Sequence, residues 1–296
     1  MNISDFIKEK RPNLSPSSVK TYNSVLTSLY KKVFPEEKEI DTEKFSDSDK
    51  FLKYLEDLPS NRRKTILSAL VVITDKKDYR DNMLEDINSY NVDIKKQEKT
   101  ETQKANWLDA EDLNNIYLQL KKNADLLYKK THLVKADYQQ IQNYILISLL
   151  GGFYCPPRRS LDYSSPFKIK NIDKEKDNFL DKNTMVFNRF KTAKTYGEQK
   201  VVIPPVLKSI LNKWIKINPT DYLFFDSNLN PLSSVKITQR LNKIFGGRKI
   251  SINALRHSYL TEKYADHMRE GKKLAEDMEA MGSSSKNMAE TYIKLD

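Results

Sequence analysis

Apolar side chains recur at helical spacing through the first quarter of the chain. Ser15 and Pro16 are residues typical of a helix start. The apolar positions that follow come every three or four residues, at Val19, Tyr22, Leu26, Leu29 and Val33. The same spacing appears in residues 49–58, which Pro59 ends, and again in residues 61–74. Because this period places the apolar residues on one face of a helix, three amphipathic helices are predicted before residue 75.

A polar interval follows this helical region. Residues 91–104, NVDIKKQEKTETQK, contain almost no apolar side chain. Such a segment has no hydrophobic face to bury and is typical of an exposed linker. The interval therefore predicts two domains, a helical one over residues 1–90 and a larger one over residues 105–296.

The second domain combines helices with a short β region. Asp109 is suited to cap a helix that runs through Leu120, and residues 138–150 form another amphipathic segment. Residues 184–190 and 199–204 are instead rich in β-branched and aromatic side chains, which favour strands. A short turn joins these two strands, so a β-hairpin is predicted. The expected fold class is mainly α, with a small antiparallel β-sheet in the second domain.

The chain is strongly basic, with a formal net charge of +11 and a pI of about 9.3. This charge favours a polyanionic partner, most often nucleic acid, although surplus lysine also keeps a protein in solution. Arg62, Arg63 and Lys64 occupy the first turn of the third predicted helix, where the helix dipole disfavours positive charge. Either a DNA backbone or a solvated face would account for them. Lys20, off the apolar stripe of its helix, is a further candidate DNA contact.

The numbers of cysteines and histidines, and the lack of long apolar segments, limit the class of protein further. Cys155 is the only cysteine, so no disulfide can form within the chain. The three histidines are scattered and do not have the spacing of metal ligands. The first residues, MNISDFIKEKRPN, lack the apolar core of a signal peptide, and no apolar run has transmembrane length. We therefore expect an intracellular protein, in the cytoplasm or nucleus of a host cell, without a membrane partner, metal or cofactor.

Four short motifs occur in a fixed order in the second domain. PPRRSLDY has an arginine followed three residues later by an acid, KTAKTYG puts lysines in the predicted turn, LRHSYLT holds a second arginine, and MGSSSKNMAETY ends in a tyrosine. The residues concerned are Arg159, Asp162, Lys191, Lys194, Arg256 and Tyr292. In type and order, these motifs resemble those of the tyrosine recombinase (lambda-type integrase) family.

The resemblance implies both a fold and a chemistry. Such recombinases have a helical SAM-like core-binding domain, here about residues 14–89, before an α-rich catalytic domain. Arg159 and Arg256 would bind the non-bridging oxygens of a phosphodiester, and Tyr292 would attack its phosphorus. A lysine of the hairpin would protonate the leaving oxygen. The resulting 3′-phosphotyrosyl link keeps the bond energy, so neither ATP nor a metal ion is implied.

Two assignments within these motifs stay open. Arg158 competes with Arg159 for the position of the first arginine. Asp162 lies three residues after Arg159, which favours Arg159 as the residue that the acid pairs with, and leaves Arg158 as a candidate DNA contact. A purely structural ion pair would also explain the acid. In the turn, Lys191 fits the Lys-Thr form seen in the family, and Lys194 is the alternative because the turn varies in length.

Two positions depart from the family pattern. Asn253 stands where the family usually has His or Lys, three residues before the second arginine. Ser283 stands where it usually has His or Trp, nine residues before the tyrosine. Both side chains can donate a neutral hydrogen bond to phosphate and belong to the predicted site. His257 is expected to be packed, supporting the site without taking part in the chemistry.

The resemblance predicts a site-specific recombinase or integrase of a virus or mobile element. It would act on double-stranded DNA as a homo-oligomer, tetrameric when two sites are paired. A type IB topoisomerase-like enzyme shares this chemistry and is one alternative. A DNA-binding protein with a degenerate active site is the other, suggested by Asn253 and Ser283.

Overall fold

A computed structural model describes residues 2–282 and residue 293 of the chain. The chain divides into two compact units, Met1–Lys99 and Thr100–Asp296. Within the described residues, no helix is both long and apolar enough to cross a lipid bilayer.

The first unit is helical. Its elements are α1 (Ile3–Lys10), α2 (Pro16–Val33), a 3-10 helix (Thr42–Ser46), α3 (Ser48–Leu55), α4 (Ser60–Thr74) and α5 (Lys77–Lys96). The three predicted helices are confirmed as α2, α3 and α4. Ser15 caps α2 by accepting a hydrogen bond from the Ser18 backbone N–H at 3.1 Å. Helix α3 is shorter than predicted, because the chain turns where the Leu58 N–H bonds to the Leu55 carbonyl.

One hydrophobic core holds these helices together. The apolar faces of α2 and α4 meet around Leu26 and Leu70, both fully buried. The rings of Phe45 and Phe51 stack with 5.4 Å between their centroids, and both are also fully buried. Burial of each such side chain contributes about 1.5–3 kcal/mol. The period of the apolar positions therefore identified the faces that form this core.

Helix α5 was not predicted, because its only buried residues are Tyr79 and Asp86. It runs on to Lys96 and so makes the first part of residues 91–104 helical, while α6 (Glu101–Ala105) occupies the end of that interval. Residues 91–100 are all exposed. Polar composition indicated exposure here, but it does not distinguish a solvated helix from an extended linker.

The second unit adds longer helices and a sheet. After α6 come α7 (Ala110–Leu127), α8 (Lys135–Leu150), α9 (Ser160–Ser164), β1 (Phe167–Lys168), β2 (Asn178–Asp181), β3 (Thr184–Phe187), α10 (Ala193–Tyr196), β4 (Gln199–Val202), α11 (Pro205–Ile217), α12 (Ser234–Ile244) and α13 (Ile252–Ala280). Asp109 caps α7 as predicted, with its carboxylate 2.7 Å from the Asp112 N–H, and the helix continues to Leu127.

Helix α8 lies at the centre of the second hydrophobic core. Every residue from Tyr144 to Leu150 is buried, so neighbouring elements cover all sides of this part of the helix. Trp214 of α11 is fully buried and stacks on Phe225 with 5.9 Å between ring centroids. The core fixes the end of α8, from which the chain leads directly to the arginine pair at 158 and 159.

The sheet is small and mixed. Its strand order is β1-β2-β3-β4, with β1 and β2 parallel and the other pairs antiparallel. The predicted hairpin is confirmed as β3 and β4, in a register that pairs Thr184 with Val202 and Phe187 with Gln199. The sequence predicted an antiparallel sheet, but β1 pairs with β2 in parallel. This strand has only two residues and is too short to show a pattern in the sequence. The fold class, mainly α with a small sheet, is confirmed.

Helix α13 is 29 residues long and begins against α8. Ser251 caps it, and the buried residues near its start are Ile252, Leu255 and Ser258. Gly152 contacts this helix with φ of +80°, and a Cβ there would lie 2.5 Å from a ring carbon of Tyr259. Only glycine combines this backbone angle with so close an approach.

Candidate functional site

Arg158 is held on several sides. Its Nε donates to the Asp162 carboxylate at 2.7 Å, and its Nη1 donates to the Gln199 side-chain oxygen at 3.0 Å. The guanidinium lies over the Phe187 ring, 4.0 Å from its centroid. The side chains of Arg158 and Asp162 are only 17% and 3% exposed. This arginine therefore links the segment before α9 to strands β3 and β4.

The acid thus pairs with Arg158, whereas the motif spacing favoured Arg159. Both arginines precede α9, so helical spacing does not decide which of them reaches Asp162. Arg159 is the N-cap of α9, with extended backbone angles and a half-buried side chain. Among the described residues, its side chain has no hydrogen-bond or ion-pair partner. Its guanidinium is therefore available to a ligand.

Arg256 lies near the start of α13, half buried. Burial lowers the pKa of Arg256, and the charges of Arg159 and Arg158 lower it further, while Asp162 acts in the opposite direction. The structure therefore brings Arg159 and Arg256, far apart in sequence, within electrostatic reach of each other. Arg256 also makes no ion pair with any described residue. An anion placed between two such guanidiniums would relieve their repulsion.

Asp162 stands among the three guanidiniums. Burial raises the pKa of Asp162, and Arg158, Arg159 and Arg256 all act against that rise. Its Oδ2 accepts the hydrogen bond from Arg158, whereas its buried Oδ1 has no hydrogen-bond partner among the described residues. One carboxylate facing three guanidiniums leaves this region with surplus positive charge.

Asn178 connects the arginine segment to the hairpin, and sequence reasoning missed it. It is fully buried at the start of β2. Its Nδ2 donates to the carbonyls of Asp162 at 2.7 Å and Arg189 at 2.8 Å. Its Oδ1 accepts the backbone N–H groups of Asn188 at 2.8 Å and Arg189 at 2.7 Å. The only sign of it in the sequence is a polar residue directly before the apolar pair Phe179 and Leu180.

Both candidate lysines lie between β3 and β4. Lys191 follows the buried Phe190 and is exposed, and Lys194 is exposed in α10. Neither forms an ion pair with the residues that the structure describes. Both remain candidates for the general acid.

Asn253 and His257 are exposed and lie one turn apart on α13. The expectation that His257 is packed is wrong, because the buried face of this part of the helix consists of Ile252, Leu255 and Ser258. Ser283 and Tyr292 lie outside the described residues.

Two basic residues at the start of α4, Arg63 and Lys64, have partners that the sequence did not suggest. Arg63 donates through Nε to both carboxylate oxygens of Asp86, at 3.0 and 2.8 Å, and Asp86 is 1% exposed. The ammonium of Lys64 lies 3.0 Å from the centroid of the Tyr90 ring. These contacts explain two positive charges at a helix start without DNA. Arg62 and Lys20 are exposed.

Comparison with known proteins gives only structural similarities. No protein-family model and no curated protein matches the chain. It is similar to a lambda integrase in a dimer bound to a COC' core site, with 14% identity and a TM-score of 0.47, over 100% of this chain and 80% of that one. It is also similar to XerA recombinase, with 14% identity and a TM-score of 0.35, over 88% of this chain and 83% of that one.

Proposed function

We propose that this chain cuts and rejoins double-stranded DNA through a 3′-phosphotyrosyl intermediate, as a site-specific recombinase or integrase. The observation that carries the proposal is the pair Arg159 and Arg256, two guanidiniums within electrostatic reach and without an ion-pair partner among the described residues. A phosphodiester offers two non-bridging oxygens to such a pair. The order of the motifs, with Tyr292 last, supports the same reaction.

In the proposed reaction, Arg159 and Arg256 bind the non-bridging oxygens and stabilise the charge that develops on them. The Tyr292 phenol gives up its proton to water, and its oxygen forms a bond to phosphorus. The bond from phosphorus to the 5′ oxygen breaks, and that oxygen takes a proton from Lys191 or, alternatively, Lys194. Attack by a 5′ hydroxyl on the phosphotyrosyl link reverses these steps, so rejoining needs no added energy source.

Other residues have supporting roles in this proposal. Arg158 and Asp162 form an ion pair that holds the start of α9, which carries Arg159 at its N-cap. Asn253 and Ser283 donate neutral hydrogen bonds to the phosphate. In the helical unit, exposed Arg62 and Lys20 contact the DNA backbone. Strand exchange requires several copies of the chain on two DNA sites, and the proposed assembly is a tetramer. The DNA that is integrated or excised would belong to a mobile or viral element.

A nicked duplex tests the reaction directly. Cleavage near the nick releases a short fragment, so the covalent protein–DNA adduct accumulates and is seen on a denaturing gel. We expect adduct with the natural chain and none with Tyr292→Phe, which removes one oxygen and leaves DNA binding intact. Tyr264→Phe, an exposed tyrosine of α13, is the matched control and should react normally.

The outcomes separate the alternatives. Binding without adduct would identify a DNA-binding protein with a degenerate site. Adduct and relaxation of supercoiled DNA, without exchange between two sites, would identify a topoisomerase-like enzyme. Adduct that persists in Tyr292→Phe would show that Tyr292 is not the nucleophile.

A further inference from the structure

A second group of basic side chains lines a cavity of about 250 Å³ beside α12. Lys236, Arg240 and Lys243 lie on one flank of α12, since they are spaced by four and three residues. Gln139 and Asn143 of α8 line the same cavity. Gln239 of α12 lines it too, so the cavity has three cationic and three amide side chains around one space.

This cavity is separate from the arginine site of the proposed reaction. Ser234 of α12 contacts α9, with its hydroxyl 2.8 Å from that of Ser160. Lys236 comes two residues later, which is about 200° around the helix. The basic flank of α12 consequently faces away from α9 and from Arg159.

Arg240 has an unsatisfied buried donor. Its Nη1 is buried and makes no hydrogen bond to any described residue. Burial lowers the pKa of Arg240 to about 10, while the charge of Asp226 acts in the opposite direction. A guanidinium nitrogen that is buried without a hydrogen-bond acceptor is unfavourable, and an anionic acceptor would offset that cost.

The one acid in the cavity is already engaged. Asp226 accepts from the Lys236 ammonium at 2.6 Å, and from the backbone N–H groups of Asn228 and Asn230 at 2.9 and 3.1 Å. Among the described residues, Arg240 and Lys243 have no ion-pair partner. The lining therefore carries surplus positive charge that Asp226 does not neutralise.

Neutral groups complete the lining. The Asn143 side-chain oxygen is buried without a described partner, and a half turn of the amide would place its NH₂ there as a donor. A neighbouring cavity of about 430 Å³ shares Gln139 and Asp226 and is lined by Tyr138 and Phe225. It offers an apolar space beside the charged one for the body of a ligand.

We propose that the cavity at Arg240 binds a phosphate group, either of a small phosphate ester or of a DNA backbone. Phosphate presents several oxygens to converging donors, and guanidinium and ammonium groups are its usual protein partners. The site does not depend on Tyr292 or on DNA cleavage, so its test is independent of the reaction proposed above.

Calorimetric titration of the full chain tests the proposal. Inorganic phosphate and thymidine 5′-monophosphate should bind, and thymidine, which has no phosphate, should bind at least about tenfold more weakly. Arg240→Gln should weaken binding of both phosphate compounds about tenfold or more. Lys213→Gln removes one charge from an exposed position of α11 and should change affinity less than about twofold. Lys243→Gln, at an exposed position, should weaken binding severalfold and serves as the test if Arg240→Gln does not fold.

Duplex DNA distinguishes the two sources of the phosphate. If the backbone fills the cavity, a duplex should compete with inorganic phosphate, and Arg240→Gln should reduce the slope of log affinity against log salt by about 0.9. If a small ester fills it, phosphate and duplex should bind together and the slope should not change. The proposal is overturned if Arg240→Gln and Lys243→Gln bind phosphate, thymidine 5′-monophosphate and duplex as well as Lys213→Gln does.

Discussion

Arg158 and Arg159 are adjacent in sequence but lie in different surroundings. The Arg158 side chain is paired with Asp162 and Gln199, whereas the Arg159 side chain has no hydrogen-bond partner among the described residues. Withdrawing Arg158 to bind a ligand would leave the buried Asp162 carboxylate without its ion pair, which is unfavourable. Stability and reaction should therefore depend on different members of the pair.

Substitution of each arginine separates these roles. Arg159→Ala should lower DNA cleavage by about 100-fold or more, as expected for loss of a charge donor in the transition state. It should change the free energy of unfolding by less than about 0.5 kcal/mol. Arg158→Ala leaves the buried Asp162 carboxylate without its ion pair and should destabilise the fold by about 3–5 kcal/mol. Urea unfolding and the adduct gel measure the two effects, and the reverse pattern would exchange the assignments.

The two lysines of the β3–β4 connection call for a chemical test, because both are exposed. A DNA strand with sulfur in place of the 5′ bridging oxygen has a leaving group that needs no proton. Lys191→Ala should therefore cleave normal DNA slowly and the sulfur-containing DNA at nearly the natural rate. Lys194→Ala is the matched control and should cleave both at the natural rate. Rescue of Lys194→Ala alone would make Lys194 the general acid.

At the scale of elements, Asn178 links α9 to the segment that follows β3 in the hairpin. Its amide makes four hydrogen bonds to backbone groups on both sides. Asn178→Ala should lower the free energy of unfolding, since each buried group left without a partner costs about 1–3 kcal/mol. Cleavage should also fall under conditions where the variant is folded, as judged by circular dichroism.

The sulfur-containing DNA tests whether Asn178 affects the reaction through the lysine or through the arginines. If Asn178 positions the lysine, this substrate should restore cleavage by Asn178→Ala. If Asn178 acts instead through the backbone of Asp162 and the arginines, the defect should remain. Full activity of the folded variant on normal DNA would show that the link is structural only.

Elements with a regular apolar face could be predicted from sequence, and the others could not. Helices α2 and α4 bury apolar stripes, so the period alone located them. Helix α5 buries little more than Tyr79 and Asp86, and β1 has two residues, so neither carries a periodic signal. For the site, motif order brought out Arg159 and Arg256, and the structure places them within electrostatic reach. The partners of Arg158 and Arg63 depend on tertiary contacts that local spacing does not encode.

At the scale of the whole molecule, the charge of +11 predicts binding dominated by DNA phosphates. The logarithm of duplex affinity should fall by about 0.9 per contacted phosphate for each unit of log salt. Arg62→Gln should remove about one phosphate contact and so reduce this slope by about 0.9, without changing the free energy of unfolding. Arg63→Gln removes the same charge but breaks the pair with buried Asp86, so it should lower the free energy of unfolding by about 3–5 kcal/mol. Filter binding at several salt concentrations and urea unfolding measure the difference, and a flat salt response would contradict phosphate binding.

Helix α13 is anchored near one end, where Tyr259 rests on Gly152. Between Tyr259 and Ala280 the helix extends about 32 Å at 1.5 Å per residue, and nearly all of its side chains there are exposed. If the helix tilted by about 5° at Tyr259, its far end would therefore move by about 3 Å. Arg256 lies three residues from Tyr259 and would move little in such a tilt, whereas Ala280, three residues before Ser283 in the sequence, would move most.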